Sequence, residues 1–122
     1  MMKVMAVAVA VLGAVTTAAH AQEGKNIGDS QQCISLGTID QTIVIDNKTI
    51  LVKTKPHGYK RMDLVNTCSG LKIQGGFGYS TSTSQLCKQD VLTVIEQNGS
   101  TCMIDKIITI DDAEAKALMS ER

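Results

Sequence analysis

Four cysteines, Cys33, Cys68, Cys87 and Cys102, are spread along a chain of 122 residues, and no two lie within four residues of each other. That spacing constrains the fold more than any other feature. A structural zinc site normally announces itself as a C-x₂₋₄-C pair, and a thiol oxidoreductase as C-x-x-C; this chain has neither. An even number of separated cysteines in a small exported domain reads instead as a framework of two disulfides, provided the compartment is oxidising.

The N-terminus speaks to the compartment. Lys3 supplies a positive charge, Val4 to Val15 form an apolar run, and Ala19-His20-Ala21 places small residues where a signal peptidase reads them. A membrane anchor needs about 20 consecutive apolar residues, and here the run is shorter and gives way to Gln22-Glu23-Gly24-Lys25. Residues 1–21 therefore read as a signal peptide cut between Ala21 and Gln22, residues 22–32 as a polar, mobile leader, and residues 33–122 as one disulfide-braced domain. The expected location is periplasmic or secreted, with no stable membrane insertion.

Composition excludes more than it nominates. Basic and acidic residues number 12 each, and loss of Lys3 leaves a single excess acid, so no bulk field attracts nucleic acid or an anionic membrane. There is no Trp, and Tyr59, Phe77 and Tyr79 are the aromatic residues. Surfaces that bind sugars or single strands usually rest on stacked rings, which this chain can scarcely supply.

The segments Ile34 to Ile39, Thr42 to Ile45, Thr49 to Thr54 and Tyr59 to Leu64 are β-rich and separated by turn chemistry at Asp46-Asn47-Lys48 and Lys55-Pro56-His57-Gly58. They predict a meander. In its last strand Lys60, Met62 and Leu64 share one face and Tyr59, Arg61 and Asp63 the other, as in a sheet with one wet side. Glycines around Phe77 precede a predicted strand from Phe77 to Thr81. Val91 to Glu96 and Thr101 to Ile110 flank Asn98-Gly99, a hairpin signal. Asp111 or Asp112 caps a short helix, with Glu114 placed for a capping box. The pattern as a whole predicts an all-β fold, a small barrel or compact sandwich of about six short strands with a short C-terminal helix.

Candidate chemistry is sparse. The mature chain has one histidine, His57, in a predicted turn where a solvated role is expected; an enzyme or enzyme inhibitor would need it to converge with Tyr79, the Ser80 to Ser84 hydroxyls, or an acid such as Asp40, Asp63 or Asp90. Gly78-Tyr79-Ser80-Thr81-Ser82 fails the nucleophile elbow at its last position. Asp111-Asp112 lacks the alternation of a calcium loop, so no metal site and no cofactor is expected. Lys53, Lys55, Lys60 and Arg61 read as a solvated sheet edge in preference to an anion site. Asn47-Lys48-Thr49 and Asn98-Gly99-Ser100 match the glycosylation sequon, but turns need Asn in any case.

Cys33-Ile34-Ser35-Leu36-Gly37-Thr38-Ile39-Asp40, Asp46-Asn47-Lys48-Thr49-Ile50, Cys68-Ser69-Gly70-Leu71 and Tyr79-Ser80-Thr81-Ser82 leading to Leu86-Cys87-Lys88-Gln89-Asp90 resemble a family of small exported proteobacterial proteins of unknown function, from Cys33 to about Ile104. The resemblance implies a periplasmic, disulfide-containing β-domain without an assigned activity. Two departures stand out: Ser69 follows the second cysteine where members often carry Pro, and no cysteine follows Ala21, whereas some members are lipoproteins. The expected function is a non-catalytic binding or envelope-associated module, with an envelope protein as its candidate partner. The alternative is the small enzyme or inhibitor built on His57.

Four cysteines allow three pairings. With Asn98-Gly99 at the hairpin tip, facing residues have numbers summing to about 197, which sets Cys102 level with Ile95 and Cys87 far along the ladder. Bridged Cα atoms lie within about 7 Å, so Cys87 to Cys102 is disfavoured. The expected pairs are Cys68 to Cys87, closing the Gly-rich excursion, and Cys33 to Cys102, tying the first strand to the last.

Overall fold

The computed structural model describes residues 26–79, 83–95 and 99–122. The fold is mostly β. Strands β1 (Cys33–Ser35), β2 (Ile39–Val44), β3 (Thr49–Thr54), β4 (Tyr59–Leu64), β5 (Phe77–Tyr79), β6 (Gln85–Cys87), β7 (Val91–Val94) and β8 (Thr101–Ile110) are joined by the short helix α1 (Leu71–Gln74) and followed by α2 (Asp112–Ser120). Six strands form one antiparallel sheet in the order β2-β3-β4-β8-β7-β5, curled into a half-barrel, while β1 and β6 make a separate two-stranded ribbon.

The β2-β3-β4 meander follows its turn chemistry. At Asp46-Asn47-Lys48 the Asp46 carboxylate accepts the Lys48 N–H at 2.8 Å, stabilising the tight reversal. The expected strand from Ile34 to Ile39 is instead broken at Leu36–Thr38, a single 3₁₀ turn in which the Thr38 hydroxyl donates to the Ser35 carbonyl at 2.8 Å. That break moves the chain from the ribbon to the main sheet.

Both faces of the half-barrel are packed. Ile50, Val52, Met62, Leu64, Leu92, Val94, Ile104 and Ile107 fill the concave side, where Ile34 and Leu86 of the ribbon and Leu71 of α1 cover them. On the convex side Ile45, Leu51 and Ile110 pack against Ala115, with Tyr59, Leu118 and Met119 at the margin. The face of Tyr59, Arg61 and Asp63 is therefore covered by α2 in part and not simply wet. A bulge makes both faces possible: Asp63 pairs with Lys106 but Leu64 with Ile104, so Asp105 is skipped and Ile104 and Ile107 both point inward.

The expected mobile leader differs over residues 26–32. Gly28 N–H donates to the Thr109 carbonyl at 2.7 Å, Thr109 N–H to that of Asp29 at 3.0 Å, and Gln31 N–H to that of Ile107 at 2.9 Å. This segment continues the sheet beside β8 beyond the end of β7. Its polar side chains gave no sign of the backbone pairing.

The disulfide pairing also needs correction. Cys33 bonds Cys87, and Cys68 bonds Cys102, with Cα separations of 3.9 and 5.8 Å; the expected Cys33 to Cys102 and Cys68 to Cys87 pairs do not form. Two physical reasons account for this. The first strand pairs with β6, where Cys33 and Cys87 face each other, and not with β8. The β7-β8 hairpin has a longer loop than its Asn-Gly suggested, with Val94 N–H bonded to the Ser100 carbonyl at 2.9 Å and Cys102 opposite Leu92 in place of Ile95. Gly99 in this loop has no room for a side chain, since a Cβ there would collide with the Val94 carbonyl oxygen. Cys102 then faces the concave core, within reach of Cys68 after β4. The expected strands Phe77 to Thr81 and Val91 to Glu96 are seen as Phe77–Tyr79 and Val91–Val94, and Ser80, Thr81 and Glu96 lie outside the described residues.

Candidate functional site

A cleft of about 700 Å³ opens at the end of the half-barrel where the β3-β4 hairpin meets the start of α2. Its hairpin wall depends on Gly58, at φ +151°: a Cβ there would lie 3.1 Å from the Thr54 hydroxyl, and any L side chain would be strained. The Lys55–Pro56 peptide within the hairpin is cis, and Thr54 N–H closes the loop onto the Gly58 carbonyl at 2.9 Å.

Within the cleft the apolar concave row ends in polar groups. Lys60 and Thr109 are partners across β4 and β8, and the Lys60 ammonium donates to the Thr109 hydroxyl at 2.8 Å. Thr54 and Thr109, at 9% and 8% exposure, are the buried polar residues among those described. Burial lowers the Lys60 pKa below the ordinary lysine value, because desolvation disfavours the charged form.

The opposite wall is acidic. Asp111 caps α2, its carboxylate accepting the Glu114 N–H at 2.8 Å, as the sequence suggests. The reciprocal arm of a capping box does not form, because Glu114 turns to Arg61, whose Nη1 donates to it at 2.7 Å. Arg61 also grips Asp63 with Nε at 2.9 Å and Nη2 at 3.1 Å. These bonds to two carboxylates raise the Arg61 pKa further and fasten α2 to β4. Asp112 lies 3.2 Å from Nε2 of His57, and the two side chains are 64% and 69% exposed, respectively. A polar contact so exposed contributes at most about 1 kcal/mol. The His57 and Tyr59 rings meet edge-on at 6.1 Å.

The other candidates suggested by the sequence are dispersed by the fold. Asp63 belongs to Arg61, Asp40 approaches Lys53 at 4.0 Å, and Asp90 accepts the Cys87 N–H at 2.7 Å. Tyr79 sits on the edge strand β5 near Phe77, and Ser80 to Ser82 lie outside the described residues. The acid that does meet His57 is Asp112, 55 positions away, and no local signal connects them. The basic residues Lys53, Lys55, Lys60 and Arg61 do not guard an edge. β3 and β4 are inner strands, the sheet edges being β2 and β5. Asn47 is used structurally: its carbonyl accepts the Cys68 N–H and its side chain caps α1 by accepting the Lys72 N–H at 2.7 Å. Asn98 lies outside the described residues. Among the described residues, no cluster of His, Cys, Asp and Glu is arranged to hold a metal ion, and no helix is long and apolar enough to cross a membrane.

The model of a family of unknown function, DUF6491, matches residues 1–122. The chain belongs to this family. No curated protein and no solved structure matches it. DUF6491 membership brings no activity with it, so any functional reading of this member rests on its own cleft, disulfides and packed faces.

Proposed function

We propose that this DUF6491 member is an exported, periplasmic, non-catalytic binding module. The observation that carries the reading is the engagement of all four cysteines in two bridges that interlock along the chain, an arrangement suited to an oxidising compartment. Residues 1–21, with Lys3, the apolar run and Ala21, supply the export signal in this reading, with cleavage before Gln22. The half-barrel has its concave side filled by Ile34, Leu71 and Leu86, which leaves recognition to the cleft at its end, open to solvent and lined by His57, Lys60 and Asp112. A ligand or an envelope protein would be bound there without being transformed.

The second reading, a small enzyme or inhibitor using His57, draws on the contact between His57 and Asp112. The exposure of both side chains favours binding, since general-base chemistry gains most from a desolvated, oriented imidazole. The experiment is affinity capture from periplasmic extract with the tagged, oxidised protein and its His57→Ala variant. A periplasmic product that captures a partner and leaves it chemically unchanged, more weakly in the His57→Ala form, supports the module. Retention of the chain in the cytoplasm contradicts export, and turnover of a captured molecule that stops in His57→Ala contradicts the non-catalytic reading.

A further inference from the structure

We propose that the outer edge of β2 binds an extended, acidic peptide segment of a partner protein, which adds to the half-barrel as one further antiparallel strand. This site goes beyond the cleft and shares no lining residue with it.

The first argument is the direction of the β2 backbone. Ile45 N–H donates to the Thr49 carbonyl at 3.0 Å, and the same register pairs Ile43 with Leu51 and Gln41 with Lys53. Hydrogen-bonded pairs alternate along an antiparallel ladder, so Gln41 and Ile43 turn their backbone groups toward β3 while Thr42 and Val44 turn theirs outward. Neither Thr42 nor Val44 bonds a further backbone group among the described residues. Backbone N–H and C=O groups must be paired or hydrated, and these lie on the longer of the two sheet edges, β5 having three residues against six in β2. An added antiparallel strand would satisfy both residues at once.

The second argument is the space beside that edge and its charge. A groove of about 220 Å³ is lined by residues 41–44 with Lys72, Gly75 and Arg122. It is open at Gly75, where a Cβ would meet nothing within 4 Å. The Lys72 ammonium is held on the Ile45 carbonyl at 2.8 Å, which leaves N–H donors to spare. No Asp or Glu lines the groove among the described residues, so a carboxylate on the added strand would gain charge-assisted hydrogen bonds. A second copy of this chain, paired edge to edge, would bring its own Lys72 and Arg122 to the same seam, and the bulge between Ile39 and Gln41 interrupts the strand next to it. An acidic strand meets neither obstacle.

The probe is the pentapeptide acetyl-Thr-Val-Glu-Val-Thr-amide, titrated into the purified, oxidised, ¹⁵N-labelled protein. Saturable shifts of the Thr42 and Val44 amides are expected at about 10 mM peptide, above a Kd of about 1 mM. Hydrogen exchange at those two amides should slow by at least about fivefold at that concentration, with Gln41 and Ile43 unchanged. The same peptide with Lys in place of Glu should bind at least about tenfold more weakly, and Arg122→Gln should reduce that preference to about threefold. Backbone methylation tests the strand geometry directly: methylating the Glu nitrogen and methylating both Val nitrogens should have opposite outcomes, one abolishing binding and the other tolerated. These comparisons use wild-type protein, so a folding defect cannot imitate them. Thr42→Pro, which removes an N–H that β3 does not use, should abolish binding, and His57→Ala should leave it unchanged. Absence of saturable shifts, indifference to backbone methylation, or equal binding of the Lys peptide would each overturn the proposal. Loss of peptide binding in His57→Ala would move the peptide to the cleft, and self-association that protects the same amides would make a second copy the occupant; either result overturns it too. The module reading is tested separately, by capture through His57, and stands or falls without this edge.

Discussion

Removal of the Cys33–Cys87 bridge should cost about as much free energy as a small domain can lose and still fold. The bridge spans 54 positions and joins the two strands of the ribbon that covers the concave core. Restriction of the unfolded chain by a loop of that size is worth about 4.2 kcal/mol at 25 °C. The Cys68–Cys102 bridge spans 34 positions and is worth about 3.8 kcal/mol on the same basis. The total stability of a domain this small is on the order of 5–15 kcal/mol. With a urea dependence of about 1–2 kcal/mol per molar, the midpoint of a Cys33→Ala/Cys87→Ala variant should fall by about 2–4 M. Its m-value should rise, because an uncrosslinked unfolded chain exposes more surface. The Cys68→Ala/Cys102→Ala variant should lose at least a similar amount, since Cys68 is 1% exposed and its truncation leaves a gap in the core. Equilibrium urea unfolding followed by circular dichroism measures both. A loss of less than about 1 kcal/mol in the first variant would refute the reasoning, because the ribbon would then be held by its hydrophobic contacts alone.

Three further outcomes follow from the convex face and the cleft. Glu114→Gln should destabilise the protein by about 1 kcal/mol, the scale of a half-exposed charged hydrogen bond, and hydrogen exchange should show faster opening of α2 with little change in β3 and β4. Asp111→Ala should cost about 1 kcal/mol through the lost N-cap, seen as a lower melting temperature with the same loss of protection in α2. Lys60 has a folded-state pKa below its unfolded value, so above that folded pKa the unfolded state binds more protons and this residue's contribution favours folding increasingly as pH rises toward about 10.4. The stability difference between wild type and Lys60→Met should accordingly move in favour of wild type over that alkaline window, and a difference that is flat in thermal melts would contradict the burial of Lys60.

The legible parts of the fold were those whose signals are local. The β2-β3-β4 meander was readable because Asp46-Asn47-Lys48 and Pro56-His57-Gly58 interrupt period-2 segments, and the cap of α2 because Asp111 precedes a run of helix formers. The β1-β6 ribbon was not readable, since three residues per strand are too few for a period to register and its partners lie 50 to 54 positions apart. Missing it led directly to the wrong disulfide pairs, as did the hairpin register around Gly99. The site suffered in the same way. Lys60 looks like any other strand lysine in sequence, and only the order of strands in the sheet makes it an inner-strand cation at the mouth of a half-barrel. His57 stood out in sequence as the histidine beyond residue 21, but Asp112, which it meets in the fold, was fully explained by helix capping and gave no local sign of the contact.

The central claim is that this chain works as an exported domain locked by two interleaved disulfides. The most direct test is intact-mass analysis and non-reducing peptide mapping of the chain isolated from its native cell, with free thiols alkylated at lysis. The account predicts a periplasmic product that begins at Gln22, takes up no alkyl group, and yields one peptide joining Cys33 to Cys87 and another joining Cys68 to Cys102. A cytoplasmic product that retains Met1 to Ala21 and carries four alkylated cysteines would contradict it.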